Sequence, residues 1–144
     1  MRLLYEHDGL VCNFVAKIVW GDHRRFDDNA AAVGVIDCKG VMVGGIVWHN
    51  WQPEAGTIEI SAGTISKRWL TRKLIWQIFS YPFDRCNCQC VFAQTRADNG
   101  PVAKLLEGIG FNSIDVPRLH GRDADGVLWW LPEETWRAGS YGAL

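Results

Sequence analysis

The stretch 99–111 constrains the fold more than any other part of this sequence. Asn99 can accept hydrogen bonds from the free N–H groups of a first helical turn, and Pro101 suits a helix start. Apolar residues then recur at helical spacing until Gly110 ends the run, namely Val102, Leu105, Leu106 and Ile109. A β-branched and aromatic run, 91–95, comes just before. The segment therefore predicts a strand, a helix and a return to the sheet.

The other apolar patterns alternate between strand and helix along the chain. Helical spacing predicts helices over residues 10–20 and 69–79, the second ending near Pro82. Strand patterns cover 31–37, 41–48, 57–65, 88–95, 111–116 and 126–131. A short turn with Gly40 makes the first two strands an antiparallel hairpin. We predict an α+β fold with α/β/α layers, a single domain over 1–137 and a frayed tail over 138–144.

Composition limits the function classes. The 144 residues carry a formal net charge of −1, so nucleic acid is not an expected partner and any anion site must be a local cluster. The longest apolar run, 41–48, is far below the ~20 residues that span a bilayer, and the first eight residues are too charged for a secretory leader. Five cysteines, an odd number, favour a reducing compartment. The expected location is the cytoplasm, away from membranes.

Three cysteines alternate along one predicted strand. Period two would place Cys86, Cys88 and Cys90 on a single face, where free cysteines usually pack into the core. Zinc is the alternative, but a closed zinc site needs four converging ligands, and side chains on one strand face point in parallel. We therefore expect no metal.

The 99–111 motif resembles the late motif of the GNAT superfamily of acetyl-coenzyme-A-dependent N-acetyltransferases, in which an Asn and a Gly-Phe bracket the helix after the fifth strand. The order of helices and strands is similar to that family over nearly the whole chain. Arg68-Trp69-Leu70 and Tyr81-Pro82-Phe83 resemble the branch that acetylates ribosomal-protein N-termini, and more closely the GNAT proteins carried by phages and prophages. The resemblance implies a mixed, mostly antiparallel sheet of six to seven strands, splayed fourth and fifth strands, and three to four helices. For a phage protein, the expected location is the host cytoplasm.

The resemblance also implies acetyl-coenzyme A as a co-substrate. In the family, a loop of the form Gln/Arg-x-x-Gly-x-Gly/Ala holds the pyrophosphate, but Ser66 and Arg68 stand at the matching glycine positions. Four cations, Lys67, Arg68, Arg72 and Lys73, either replace that backbone grip or form a solvated basic face. The implied cofactor-binding residues are Ala62, Gly63, Thr64, Ser66, Lys67, Arg68, Trp69, Leu70, Thr71, Arg72 and Asn99. A backbone N–H near Ala62 or Gly63 is implied as the oxyanion donor.

Attack of an amine on a thioester needs a group that removes a proton, because an alkylammonium has a pKa near ~10.4. Glu59 is the first candidate base, since the family often places a Glu there and since alternation puts Ile58 and Ile60 on the opposite face. His49 is the rival base, and His120 is a weaker one. In many family members a Tyr protonates the departing thiolate, and Leu106 occupies the matching position here.

Two functions remain open from the sequence. The first is an acetyltransferase that carries the acetyl group to an amine by direct attack in a ternary complex; the acceptor can be a protein or a small molecule. The alternative is a noncatalytic GNAT-fold phage protein that binds partners through a surface rich in its eight tryptophans. Trp129 and Trp130 must point to opposite faces of the last strand, and a homodimer through the last strands would cover the exposed one.

Overall fold

The computed structural model describes residues 1–22 and 24–141, which contain four α-helices and seven strands. The helices are α1 (Asp8–Trp20), α2 (Arg72–Ser80), α3 (Gly100–Ile109) and α4 (Glu133–Ala138). The strands are β1 (Arg2–Leu4), β2 (Ala31–Ile36), β3 (Met42–Gln52), β4 (Thr57–Thr64), β5 (Cys90–Arg96), β6 (Asn112–Val116) and β7 (Gly126–Pro132). They form a mixed sheet in the order β1-β2-β3-β4-β5-β7-β6, so the predicted α+β class is confirmed. Among the described residues, no helix is long and apolar enough to cross a membrane.

Backbone contacts divide the chain into two compact units. The first comprises residues 1–51 and 59–79, and the second comprises 52–58 and the chain from 80 onward. In the first unit, β2 and β3 pair antiparallel with Ala31 opposite Trp48, which confirms the predicted hairpin. Strand β1, which the sequence analysis missed, adds to the outer side of β2 with Leu3 opposite Val35.

Two adjacent glycines of β3 show that α1 and α2 cover opposite faces of the first unit. A Cβ built on Gly45 would lie 2.8 Å from valine side chains of α1, whereas one on Gly44 would collide with the indole of Trp69. Trp48 shares the Gly44 face by alternation, and its ring meets that of Phe79 of α2 edge to face, with centroids 5.9 Å apart. The predicted layering of helix, sheet and helix therefore holds within this unit.

The third strand is longer than predicted. It continues through Gln52 instead of ending at Trp48, and it turns into β4 through a short connection in which Gly56 has φ +72°. Asn50 has φ +52° inside the strand, a left-handed conformation that Asn tolerates better than most residues. The strand alternation is therefore interrupted directly beside His49.

Helix α2 begins later than predicted, at Arg72 instead of Trp69. The hydroxyl oxygen of Thr71 accepts a hydrogen bond from the Leu74 N–H at 3.1 Å and so caps the first turn. Trp69 is a buried residue of the preceding loop, 9% exposed, and its ring packs against Gly44. Trp69 fits the apolar spacing predicted for the helix because it is buried in the core, although it is not part of the helix.

The second unit contains β5, β7 and β6, which pair antiparallel in that order. Helix α3 lies where the sequence predicts it: the Asn99 side chain accepts from the Val102 N–H at 3.4 Å, and Gly110 ends the helix with φ +119°. Phe111 then leads into β6, and the two predicted last strands are confirmed.

The prediction of three cysteines on one strand face is wrong. Only Cys90 lies in β5, because the chain makes a π turn over Tyr81–Arg85 and a bend before the strand begins. Pro82 has no N–H, and the Cys86 N–H donates to the Tyr81 carbonyl, five residues back. Cys88, at 2% exposure, is buried outside any strand.

Helix α4 was also missed by the sequence analysis, although Pro132 at its N-cap and two acidic residues in its first turn are start signals. Arg137 forms two ion pairs at 2.8 Å, one with Glu133 in the same helix and one with Asp84 in the π turn. Within the predicted frayed tail, Ala138 is the last residue of α4, and residues 142–144 lie outside the described part of the chain.

Candidate active site

Strand β4 presents a polar series on the face that α1 covers. Glu59, Ser61 and Gly63 share that face by alternation, and a Cβ on Gly63 would lie 3.1 Å from Ile18 of α1. Ile58, at 4% exposure, lies on the other face, as predicted. The expected alternation around Glu59 is therefore confirmed. Helix α1 covers the face that carries Glu59, and the Glu59 side chain is half-buried.

His49 lies beside this series. Its Nε2 atom is hydrogen-bonded to Ser61 Oγ at 2.8 Å and lies 3.8 Å from Glu59 Oε2. Burial lowers the pKa of His49 from 6.5 to about 4, with a smaller opposing effect of Asp27 and a further lowering by Arg24. The imidazole is therefore neutral at neutral pH, and its approach to Glu59 is not an ion pair under those conditions.

The Glu59 carboxyl has the opposite shift. Burial raises its pKa above 4.5, and this effect exceeds the lowering by a hydrogen bond from the Asn50 side chain and by the charge of Arg24. The side chain retains 19% exposure, so the carboxylate is partly desolvated but accessible. A carboxylate in this state binds a proton more readily than an exposed Glu does.

An aromatic series covers His49 on the side of the connection between α1 and β2. The Phe26 ring lies 5.0 Å from the imidazole centroid, and the Trp20 ring lies 4.6 Å from Phe26. The Arg24 guanidinium lies over the Trp20 ring at 4.5 Å. Together these side chains form a partly apolar wall, which covers one side of the His49 imidazole.

This polar pair makes stability depend on pH. The unfolded chain binds more protons than the folded protein between the folded pKa of His49, about 4, and its unfolded value of 6.5. The contribution of neutral His49 to the free energy of unfolding is therefore complete above its unfolded pKa. It falls by about 2 to 3 kcal/mol as the pH drops toward its folded pKa. The raised pKa of Glu59 acts in the opposite sense as the pH rises above 4.5.

We expect His49→Gln to reduce the loss of stability in acid, because glutamine does not titrate. Urea unfolding of both proteins between about pH 4.5 and 7 measures the slope. His7→Gln is the matched control, since His7 is exposed and makes no side-chain capping bond. An acid slope that is the same in His49→Gln as in the wild type would contradict a buried, neutral imidazole.

The loop between β4 and α2 contains most of the predicted cofactor-binding residues. Thr64 Oγ1 accepts from the Ser66 N–H at 3.0 Å and lies within hydrogen-bond distance of the Val43 and Ser66 carbonyls. Lys67 and Arg68 are exposed, while Trp69 turns inward. The loop therefore holds its cations in solvent and is anchored to the core through its tryptophan.

The start of α2 has an unusual charge distribution. Arg72 and Lys73 stand in the first turn, where no acidic residue is present, and the last turn has no basic residue. This arrangement opposes the helix dipole, which favours anions at the N-terminus. A surface cavity of about 290 Å³ adjoins this turn and is lined in part by Thr71, Lys73, Arg2 and Tyr5. Of the two cations in this turn, Lys73 therefore stands beside open space.

The other predicted residues occupy separate places. Ala62 is exposed on β4, and Leu70 is half-buried in the loop. In the second unit, Asn99 uses its side-chain oxygen to cap α3, and Leu106 is buried in that helix at 7% exposure. His120 Nε2 lies 3.0 Å from the Thr95 carbonyl oxygen and fixes the loop before β7.

The paired tryptophans of β7 differ in burial. Trp129 is 2% exposed, and its indole N–H donates to Thr95 Oγ1 at 2.9 Å, whereas Trp130 is half-buried. Trp51, at the end of β3, is 50% exposed. Among the described residues, no group of three or more His, Cys, Asp or Glu side chains is placed to hold a metal ion.

Three parts of the polar cluster were not predicted from the sequence: Ser61, Asn50 and the aromatic wall. Ser61 has a sequence signal, because alternation places it on the Glu59 face two residues on. Asn50 has none, since its left-handed φ depends on the pairing of β3. Trp20 is the last residue of the predicted helix 10–20, and Phe26 lies between that helix and the predicted strand 31–37, so neither pattern indicates that their rings lie beside His49.

Comparison with solved structures shows similarity to acetyltransferases over nearly the whole chain. The F149A mutant of spermidine N-acetyltransferase SpeG from Vibrio cholerae aligns with a TM-score of 0.76 and 13% identity, covering 96% of this chain and 98% of that one. A SpeG chimera from Vibrio cholerae and hSSAT gives 0.73 and 15%, covering 94% and 98%. The dodecameric Vibrio cholerae enzyme gives 0.74 and 14%, covering 95% and 96%.

The sequence alone gives no such match. No protein-family model matches it, and no curated protein matches it. At 13% to 15% identity the structural likeness identifies the fold and leaves the reaction to be argued from the site. The chain has the fold of the GNAT acetyltransferases.

Proposed function

We propose that this protein is an acetyl-coenzyme-A-dependent N-acetyltransferase that acts on an amine by direct attack in a ternary complex. The observation that carries the proposal is the partly buried Glu59 carboxylate, whose pKa is raised, on β4 of a GNAT fold. A group that accepts the proton of an ammonium ion is what this reaction requires of the protein.

In the proposed reaction, Glu59 takes a proton from the acceptor ammonium, directly or through one water. The free amine nitrogen then forms a bond to the thioester carbonyl carbon, and the carbon–sulfur bond breaks. The electron pair of that bond leaves with the sulfur as a thiolate, whose pKa near ~8.5 lets it depart without a strong acid. The nitrogen, positively charged once it has bonded to carbon, gives up its second proton to the thiolate or to solvent, which leaves a neutral amide. Backbone N–H groups near Ala62 and Gly63 are the proposed donors to the oxyanion. His49 is the alternative base, although its low pKa makes it a weaker proton acceptor than Glu59.

The cationic loop and helix start are the proposed site for the pyrophosphate of acetyl-coenzyme A. Ser66, Arg68 and Arg72 replace the usual glycine-rich grip with side-chain donors, and charge-assisted hydrogen bonds to phosphate are the stronger class. The reversed charge pattern of α2 supports this assignment. Asn99 is proposed to lie near the pantetheine arm.

The acceptor class is a primary amine on a protein or a small molecule. Spermidine is a first acceptor to test because the similar SpeG proteins are named for it. A peptide N-terminus is the second, because the Arg68-Trp69-Leu70 and Tyr81-Pro82-Phe83 runs resemble the ribosomal-protein branch and phage members. A homodimer through the last strands is also proposed, and Ile114 of β6, at 56% exposure, is an apolar residue that it would cover.

Calorimetric titration with acetyl-coenzyme A tests the cofactor site. We expect the wild type to bind in the micromolar range and Arg68→Glu/Arg72→Glu to lose tenfold or more in affinity, because two donors to phosphate become repulsive charges. Arg85→Glu/Arg122→Glu changes the net charge equally at exposed positions that are not part of this loop, and it is the matched control.

The same titration separates the two functions. Loss of binding in both double variants would indicate a general charge effect rather than a site in the loop. No measurable heat from the wild type at low salt would favour the alternative, a noncatalytic module that binds partners through surface tryptophans such as Trp51.

A further inference from the structure

One ring nitrogen in the candidate active site has two neighbours that compete for it. His49 Nε2 lies 2.8 Å from Ser61 Oγ and 3.8 Å from Glu59 Oε2. The first distance is a hydrogen bond and the second is too long for one. A single ring nitrogen has one lone pair or one N–H to offer, so a bond to Ser61 leaves it without a bond to Glu59.

The two neighbours of Nε2 lie close enough together for the ring to change partners. Ser61 and Glu59 are two residues apart on the same face of β4, so a small tilt of the ring would carry Nε2 from one to the other. The Phe26 ring packs on the imidazole with centroids 5.0 Å apart. The Glu59 carboxylate instead takes its hydrogen bond from Asn50.

Pairing with His49 would reduce the ability of Glu59 to act as a base. An Nε2–H donated to the carboxylate, from the neutral imidazole as well as from the protonated one, would stabilise its charged form, and a stabilised carboxylate takes up a proton less readily. The other charged groups that act on the pair are Arg24 and Asp27, both on the connection between α1 and β2, and they are the same in every variant below.

We propose that Ser61 is a positioning residue that holds Nε2 of His49 away from Glu59 and so leaves the Glu59 carboxylate free to accept the proton of the acceptor amine. The proposal rests on the proposed function for its catalytic meaning. It adds a residue that acts through His49.

The test is an NMR titration of His49 and Glu59 in the protein without substrate, carried out on the wild type and on Ser61→Ala. In Ser61→Ala we expect the pKa of His49 to rise and that of Glu59 to fall, each by about one unit or more, because the freed imidazole pairs with the carboxylate. Ser61→Thr keeps a hydroxyl and should leave both values within a few tenths of a unit. Ser61→Cys, a weaker hydrogen-bonding partner, serves if the alanine variant is poorly folded by circular dichroism.

Adding Glu59→Gln to Ser61→Ala tests the partner directly. With no carboxylate to pair with, the rise in the pKa of His49 should disappear. A rise that persists in this double variant, or unchanged titrations in Ser61→Ala and Ser61→Cys, would overturn the proposal.

Kinetics connect the titrations to catalysis. In Ser61→Ala the acid limb of kcat/KM should move to lower pH by the same shift as Glu59, with a lower kcat at neutral pH, whereas Ser61→Thr should match the wild type. A Glu59 shift without any movement of the acid limb would overturn the catalytic meaning of Ser61. Absence of acetyl transfer from the wild type to spermidine and to peptide amines would count against the proposed function, while the NMR titrations would still decide whether Ser61 positions His49.

Discussion

Replacing Glu59 by Gln is expected to lower kcat for acetyl transfer at neutral pH by about 10²-fold or more, with acetyl-coenzyme A affinity unchanged. The amide keeps the shape of the side chain and can still bond to Asn50, but it cannot accept the proton of an ammonium ion. General-base catalysis by a positioned side chain contributes about 10² to 10⁴-fold, so the loss should be large. Initial-rate kinetics with an amine acceptor, together with calorimetry for the cofactor, measure both quantities.

Glu54→Gln is the matched control, because Glu54 is an exposed carboxylate in the turn between β3 and β4. Its removal should leave kcat within about twofold of the wild type. The rate of Glu59→Gln should also recover as the pH rises and the free amine becomes abundant, since the need for a base then declines. Unchanged turnover in Glu59→Gln at neutral pH would eliminate Glu59 as the base.

The structure shows which elements a sequence can predict. Helix α3 was predicted correctly because its signals are local: Asn99 caps it, and Gly110 ends it in a left-handed conformation. The start of α2 was misplaced because the burial of Trp69 depends on Gly44, which is distant in sequence. Helical spacing cannot distinguish a buried loop tryptophan from one on a helix face.

The candidate site, too, could be predicted only where its signals are local in the sequence. Glu59 could be selected from the alternation of β4 together with a family resemblance, and its burial agrees with that choice. The neutral state of His49 could not be predicted, because it results from burial by groups such as Phe26 from a different segment. Nor could the Ser61 bond to His49 be predicted, because it requires β3 and β4 to be neighbours in the sheet.

Trp69→Ala is expected to lower the free energy of unfolding by about 3 to 5 kcal/mol, the usual cost of removing a buried large aromatic side chain. The indole is 9% exposed and fills the space over Gly44, which the structure leaves without a Cβ. Because Trp69 anchors the loop that carries Arg68, the variant should also weaken acetyl-coenzyme A binding. Denaturant unfolding measures the first effect and calorimetry the second. Trp51→Ala, which removes a half-exposed tryptophan, should cost much less.

A double-mutant cycle with Gly44→Ala tests the contact itself. Alone, Gly44→Ala should destabilise the protein by about 1 to 3 kcal/mol, because its Cβ would overlap the indole of Trp69. In the Trp69→Ala background the same methyl group enters the space that the indole has left, so its cost should vanish or become a small gain. Strictly additive free energies would show that Gly44 and Trp69 do not act on each other, and the loop would then need another anchor. A coupling of 1 kcal/mol or more would instead show that the indole of Trp69 holds the cationic loop against the sheet at Gly44.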